Sequence, residues 1–566
     1  MHDLDPIIQE YDSIPGNNEL LFLPLGGAGE IGLNFNLYGH AGKWIIIDCG
    51  ITFDSELADK SNVIIPDPSF IDQQRDNIVG LILTHGHEDH IGAIQYLWRS
   101  LDCKIYATPF TARLLSKKLE ETGGINQLDI TVVNMSERIN IAPFDIQLIT
   151  VTHSIPEPNS VLISTSAGSV IHTGDWKLDS EPVLGKKTDE NLIKKIGKTN
   201  ILAMISDSTN ALTLGSSGSE GEVRDSLMSL VAKFKTRVLI ACFASNVARI
   251  QTIAEVAAAN GRTVVLAGRS LWRITEVARA SGYLSKISPF VKEQEASSLP
   301  RDKILIISTG SQGEKRAALT RIAANQHSKI DLEENDVVIF SSRIIPGNEI
   351  SIVSLQNKLT RSKIKVLTEK DAFVHVSGHP SRDDLTKIYK WVKPNIVVPV
   401  HGEEIHLQGN SELALECEVP FAPIIRNGEV LSLKRNEPKI VGFVKTGRLT
   451  IDGTELINVD NEILKTRRLM FSEGVVFLTI VVDKFGRVVT EPIISAPGIT
   501  GNENHDIELA EDIIEDVLEE ISSLTIDKLK DDYVLEELIR RHIKKIVRKW
   551  RGKNPVTKVH LVRLIN

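Results

Sequence analysis

At 566 residues the chain is too long for one compact core, and at about 150 residues per domain it points to three or four units. It is 42% hydrophobic and 25% charged, and no apolar run reaches the ~18 residues that span a bilayer, so no membrane-spanning helix is expected. The net charge of −9 argues against coating nucleic acid by bulk charge.

Four scattered cysteines (Cys49, Cys103, Cys242, Cys417) make no CxxC pair and no disulfide framework. The acidic start, residues 1–5, lacks a signal-peptide pattern. A reducing cytoplasm is the expected location.

The first predicted strand, 20–25, runs into Gly26-Gly27-Ala28-Gly29-Glu30-Ile31-Gly32. Gly27, Gly29 and Gly32, with Asp48 about 20 residues on, match a dinucleotide-binding fingerprint. That fingerprint demands a helix after the glycines. Instead, the alternation of 34–38, a turn at 39–42 and the run 44–48 predict a β-hairpin. The glycines are therefore read as a tight turn beside the next motif.

That motif is Thr84-His85-Gly86-His87-Glu88-Asp89-His90, directly after the apolar run 78–83. A short apolar run ending in ligand-type residues reads as a buried strand that delivers side chains to its C-terminal edge. Imidazole and carboxylate suit zinc. His85 and His87 can point the same way, while Asp89 and His90 begin a second set, which suits two metals.

Further along, 97–101 and 110–119 read as helical and 104–107 and 146–151 as extended. His153 and Asp175 each follow an apolar strand. His172 is read as a packed strand residue. From 206 to 359 the texture becomes regular α/β, with buried-strand runs at 237–241, 263–267, 304–307 and 337–340, as in a small parallel sheet. Ligand-type residues then return at His375, His379 and His401, so the α/β block is read as an insertion that interrupts the first domain. Residues 437–463 are expected to be a linker. A terminal α+β unit, 464–566, is expected to hold a hairpin (475–483 and 487–494), helices 506–524 and 531–550, and a final strand, 556–565. Its second helix is rich in Lys and Arg and reads either as an RNA contact or as a solvated face.

The metal assignment that follows gives His85, His87 and His153 to one zinc and Asp89, His90 and His401 to the other, with Asp175 bridging. Two such cations share a water, lower its pKa toward 7 and make a hydroxide that attacks in line.

The H-x-H-x-D-H loop with His153, Asp175 and His401 resembles the metallo-β-lactamase fold of dinuclear zinc hydrolases. That resemblance implies an αββα sandwich spanning 1–205 and 360–436, and the block 206–359 is similar to the inserted β-CASP domain. Gly26 to Gly32, Thr152-His153-Ser154-Ile155-Pro156, Phe243-Ala244-Ser245-Asn246, Gly268-Arg269-Ser270, Thr309-Gly310-Ser311-Gln312-Gly313-Glu314 and Ile345-Pro346-Gly347-Asn348 narrow the resemblance to the bacterial ribonuclease J family.

The resemblance implies a 5′→3′ exonuclease on 5′-monophosphorylated RNA that also cuts internally, in rRNA maturation and mRNA decay. It implies two Zn²⁺ per subunit, with Mn²⁺ or Mg²⁺ also possible in activity. A homodimer or homotetramer is expected, with a place in an RNA-degradation complex. Asp89, Asp207 and His379 would be catalytic, His379 as general acid and Asp207 holding a neighbouring histidine or the metal cluster's surroundings. Ser245, Asn246, Val247, His375, Val376, Ser377, Gly378 and His379 would line a pocket for the terminal nucleotide's phosphate.

Two residues depart from the family pattern. Ala248 stands where many relatives carry histidine, and Pro380 where glycine is common. The acidic residues of 54–62 do not match the calcium site of some relatives. Competing readings are a small-molecule metallo-hydrolase, a β-CASP DNA nuclease and a catalytically inactive RNA-binding scaffold. The inserted domain, the Ser377-Gly378-His379 context and the complete ligand set argue against them in turn.

Overall fold

The computed structural model describes residues 11, 14–54, 62–123, 128–501 and 503–564. The acidic start and most of the segment 54–62 lie outside them. The described residues form two compact units, one up to Leu449 and one from Thr450 onward.

Two sheets face each other in the first unit. An eight-stranded sheet runs, edge to edge, Lys439–Phe443, Glu429–Ser432, Leu21–Gly26, Phe35–His40, Lys43–Ile47, Ile78–Ile82, Ile105–Ala107, Ile130–Val132. A six-stranded sheet runs Arg138–Ile141, Phe144–Thr150, Asn159–Thr165, Gly168–His172, Ala203–Asp207, Ile396–Val400. Alternate residues of both point inward and pack as one core, including Phe22, Tyr38, Ile45 and Ile82 against Phe144, Ile146, Val161, Ile205 and Val398. The other face of the second sheet (Ile149, Ile171, Met204, Val397) packs with Leu385 and Ile388 of helix Arg382–Val392 and Leu413 of helix Glu404–Glu416. This is the αββα sandwich.

The expected hairpin is present, with Tyr38 opposite Ile45 in an antiparallel ladder. Helix Pro109–Thr122 covers the stretch read as helical at 110–119. The reading of 97–101 was displaced: the helix is Ile94–Leu97, and the chain turns after it.

Ala203–Asp207 and Ile396–Val400 are parallel neighbours, Asp207 beside Val400. The chain leaves the sandwich after one strand and returns to it with helix Arg382–Val392 and the next strand, so the sequence between is inserted. The insertion carries a five-stranded all-parallel sheet, ordered Thr263–Ala267, Ile304–Ser308, Val238–Ala241, Val337–Phe340, Lys365–Leu367. Its three central strands are buried on both faces, as a parallel sheet flanked by helices requires.

Residues 437–463, read as a linker, carry strands Lys439–Phe443, Arg448–Asp452 and Glu455–Asn458. The first of them pairs with Glu429–Ser432. In the second unit, helix Glu462–Glu473 has no counterpart in the sequence reading. Strand Val475–Val482 pairs antiparallel with Ile493–Ser495 and parallel with Val556–Arg563. Between them, Val482 makes a single bridge to Val488, so the return strand of the expected hairpin is broken. The basic helix Asp532–Arg551 buries Leu535, Ile539, Ile543 and Val547 in the unit's core. Its polar side also meets the acidic helix Glu503–Ser523, with His542 Nδ1 2.9 Å from Asp516 and the Trp550 indole N–H donating to Asp512. No helix among the described residues is long and apolar enough to cross a membrane.

Candidate functional site

Four strand ends converge on one edge of the sandwich. Ile78–Ile82 delivers His85 and His87, and His87 caps the short helix Glu88–Ile91 that presents Asp89 and His90. Phe144–Thr150 leads to His153, Gly168–His172 to Asp175, and Ile396–Val400 to His401. Backbone lies on backbone here: a Cβ on Gly50 would sit 1.7 Å from the Asp89 carbonyl oxygen. The glycine-rich turn serves the same edge. Gly27, Gly29 and Gly32 all have φ near +86°, which glycine adopts at no steric cost. Through this turn Ala28–Gly29 pairs with Gly402–Glu403, and Gly27 O accepts the His401 N–H.

His85, His87, His153 and Asp175 present donor atoms within 4.8 Å of one another, and so do Asp89, His90, Asp175 and His401. Asp175 stands between the sets. Its Oδ2 lies 3.7 Å from both His85 Nε2 and His153 Nε2, and its Oδ1 lies 3.2 Å from His90 Nε2 and 3.6 Å from His401 Nε2. His87 Nδ1 is 3.1 Å from His85 Nε2 and from His153 Nε2. Ligands ~2.0–2.1 Å from one tetrahedral ion stand about 3.4 Å apart, so these spacings surround one ion each.

Burial holds the His85 and His153 imidazoles well below their ordinary pKa and His87 at about 4, which leaves them neutral with lone pairs free. For Asp175, burial opposes ionisation, but His90, His401 and His379 outweigh it and hold the carboxyl low. Among the described residues His401 Nε2 is buried with no hydrogen-bond partner, which is a costly state for a polar atom unless it binds something. The donor sets therefore fit two divalent cations of nitrogen and oxygen preference.

A second layer orients these rings. Asp48 Oδ2 lies 2.7 Å from His90 Nδ1 and accepts the Thr84 hydroxyl, while Asp48 Oδ1 accepts the Thr84 N–H. His401 Nδ1 lies 3.0 Å from the Asn34 amide, and His153 Nδ1 2.7 Å from Gly378 O. The sequence reading passed over Asp48, Thr84 and Asn34. Asp48 did leave a signal, as an acid at the end of the apolar strand Lys43–Ile47. His172 pairs with the Tyr38 hydroxyl at 2.9 Å, away from the donor sets.

Against the cluster, His379 Nδ1 sits 2.9 Å from Asp207 Oδ2 and 3.8 Å from Asp175 Oδ2. The other Asp207 oxygen accepts the N–H and hydroxyl of Thr209. Burial opposes the charged form of His379, but Asp207, Asp175 and Asp89 outweigh it and raise its pKa to about 9. Asp207, His379 and His401 also form a close group. With Nδ1 committed to Asp207, Nε2 is the His379 nitrogen open to a substrate.

The residues expected to line a phosphate pocket lie on two segments, and of them Asn246, Val376, Ser377 and Gly378 share one recess while Ser245, Val247, His375 and His379 lie outside its lining. Ser245 and Asn246 precede helix Val247–Ala259, and Asn246 is its N-cap, with its side-chain oxygen taken by the Arg249 N–H. Val247 is buried. The segment 374–379 carries the rest. Ser377 Oγ accepts from Asn210 and from the His379 N–H, and Val376 is buried. A Cβ on Gly378 would meet the His153 ring at 2.6 Å, so only glycine fits there. His153, Ser154, Asn246, Ala248, Ser377 and Gly378 line one small recess.

Comparison with known proteins agrees with this layout. Residues 29–225 match the metallo-beta-lactamase superfamily, 235–359 the ribonuclease J beta-CASP domain, 363–420 the Zn-dependent metallo-hydrolase RNA specificity domain, and 462–564 the ribonuclease J C-terminal domain. Ribonuclease J of Sinorhizobium meliloti is 40% identical over 97% of this chain and 98% of its own. That of Corynebacterium glutamicum is 35% identical over 97% and 76%, and that of Mycobacterium tuberculosis 35% over 93% and 94%. A crystal structure of a protein of unknown function from Enterococcus faecalis shares the fold, with TM-score 0.53 and 15% identity over 73% of this chain and 100% of that one. With the domain matches in the same order as the folded segments and relatives alike from end to end, the chain belongs to the ribonuclease J family of metal-dependent nucleases.

Proposed function

We propose that this ribonuclease holds two zinc ions, removes nucleotides 5′→3′ from 5′-monophosphorylated RNA and also cuts internally, in rRNA maturation and mRNA decay. The observation that carries the reading is Asp175, with one oxygen toward each donor set and the His379–Asp207 pair beside both.

His85, His87 and His153 would hold one cation, Asp89, His90 and His401 the other, with Asp175 shared. Bound there, such ions would acidify a shared water and offset charge on the attacked phosphate. The chain's own groups do the rest. Asp48 and Asn34 keep the His90 and His401 rings turned to the cluster. The Gly378 carbonyl does the same for His153. Asp207 keeps His379 oriented and protonated, so Nε2 can give its proton to the leaving 3′ oxygen. The Ser245 hydroxyl and His375 suit a terminal phosphate, while the N–H groups of residues 246–249 are already taken by Phe243 O, Ser245 O, Ser154 O and the Asn246 side chain. The Asn246 oxygen is spent on its cap, so only its amide can serve the phosphate.

Activity with manganese or magnesium is carried by the family resemblance alone. Assembly as a homodimer or homotetramer, a place in an RNA-degradation complex and a cytoplasmic location are carried by the family resemblance alone.

The test is labelled RNA with a 5′-monophosphate or a 5′-triphosphate, with and without chelator and added zinc or manganese. Mononucleotides should be released from the monophosphorylated RNA, and chelation should stop it. Equal rates on both RNAs would sink the 5′-phosphate reading, and full activity in Asp89→Ala/His90→Ala would sink the metal assignment.

A further inference from the structure

Arg249 is one of the most deeply buried side chains of the molecule, with a side-chain exposure of 0%. Its guanidinium is fully engaged. Nε and Nη2 fork onto the two oxygens of Glu220 at 2.6 and 3.0 Å. Nη1 donates to Ser341 O at 3.0 Å, Ser341 Oγ at 2.7 Å and Val374 O at 2.9 Å, and stands 3.5 Å from His375 Nδ1. Its own backbone N–H donates to the Asn246 cap.

Arg249 therefore joins four pieces of chain, the first through its backbone N–H and its own helix and the others through its guanidinium. They are the Ser245-Asn246 turn with the helix after it, the start of helix Glu220–Val231, the end of strand Val337–Phe340, and the segment 374–379. That last segment belongs to no strand or helix, so no ladder fixes its register. What holds it are side-chain bonds: Arg249 and the Ser341 hydroxyl on Val374 O, Asn210 on Ser377, and His153 on Gly378 O.

An ion pair buried this deeply adds little net stability, because desolvating the two charges offsets their attraction. What the fork adds is geometry. A planar guanidinium fixes Glu220 and two carbonyl oxygens in one arrangement, which a lysine ammonium does not reproduce.

We propose that Arg249 is a positioning residue for recognition of the RNA 5′ end. It sets the spacing between the Ser245-Asn246 turn and the segment with His375, Ser377 and His379, the two walls of the terminal-phosphate pocket, without touching RNA itself. The inference rests on the 5′-phosphate reading given above. It adds that discrimination of the RNA end depends on a buried fork behind the pocket as well as on the groups that line it.

The experiment compares the wild type with Arg249→Lys and Ser341→Ala on one RNA sequence bearing either a 5′-monophosphate or a 5′-hydroxyl. The readout is the ratio of kcat/KM for the two RNAs, split into kcat and KM, with metal content measured in each protein. A displacement of about 1 Å in a binding group can cost up to ~100-fold. Arg249→Lys should therefore lower the ratio by roughly tenfold or more, mainly through KM for the monophosphorylated RNA. Ser341→Ala removes one strut and should lower the ratio less, in the same direction, with metal content at the wild-type level. The inference is overturned if both RNAs slow by the same factor, which is what a packing role predicts, or if the ratio does not move. If Arg249→Lys does not fold, Ser341→Ala decides alone by the same criterion. A wild-type ratio near one would instead sink the 5′-phosphate reading, and this inference with it.

Discussion

The sandwich edge and the edge of the inserted sheet meet at one cleft, but they are built from different materials. The sandwich edge is made of ionisable side chains: five histidines and two aspartates whose donor atoms form two sets around Asp175. The insertion's edge contributes a capped helix start, small side chains and one buried guanidinium that faces no solvent. On the function proposed above, the first kind of edge would do chemistry through side chains whose identity cannot change. The second would position a substrate through spacing, and many sequences could supply it. A catalytic face and a binding face should therefore fail differently when disturbed.

The largest expected effect is at the shared carboxylate. Asp175→Ala removes a ligand from both sets at once, and RNA turnover should fall by more than about 10³-fold, several kcal/mol of transition-state stabilisation. Elemental analysis should show both metals reduced; loss of only one would break the bridging assignment.

His379→Gln should lower kcat by roughly 10²–10⁴-fold, the usual worth of a positioned acid, while metal content stays whole. Metal loss in this variant would move His379 from proton donor to ligand.

Asp48→Asn keeps the shape of the group holding His90 but removes its charge. The expected cost is ~10–100-fold in metal affinity or activity, read by titration with a competing chelator. Gly378→Ala presses a methyl into the His153 ring. It should raise KM and lower kcat together by about tenfold, because that glycine joins the metal face to the pocket.

Asp179 should have the smallest effect on chemistry and a measurable one on stability. It pairs with Lys177 at 2.8 Å and accepts from Ser219 and the Glu220 N–H, so it ties the sandwich to the insertion's first helix. Burial raises its pKa, but Lys177 and these hydrogen bonds outweigh burial and hold it below the ordinary value of 3.8. A lowered folded-state pKa contributes stability above the unfolded value and loses it as pH falls through the folded one. Asp179→Asn should therefore destabilise the protein at neutral pH by ~3 kcal/mol, and urea unfolding should show that difference shrinking below about pH 4.

The metal face was legible in the sequence because its chemistry is spelled in side chains. His85, His87, Asp89 and His90 fall within six positions after an apolar strand, and His153, Asp175 and His401 each follow another. The inserted sheet was legible as buried β runs separated by helical segments. Asp48 had no role in the sequence because, with the nucleotide fingerprint set aside, a lone acid after a strand says nothing of its partner, and only its 2.7 Å approach to His90 gives it one. The 437–463 stretch looked like a linker because its strands are short and half exposed, and pairing with a distant partner is what makes Lys439–Phe443 a strand.

By itself, then, the sequence determined the ligand types, the interrupted sandwich and the family resemblance, because these depend on residue identity and local periodicity. Only the tertiary structure decided which oxygen of Asp175 faces which donor set, that Asp207 is the partner of His379, and that Arg249 stands behind the pocket. Those contacts join residues far apart along the chain. Packing fixes their distances, and no local pattern records them.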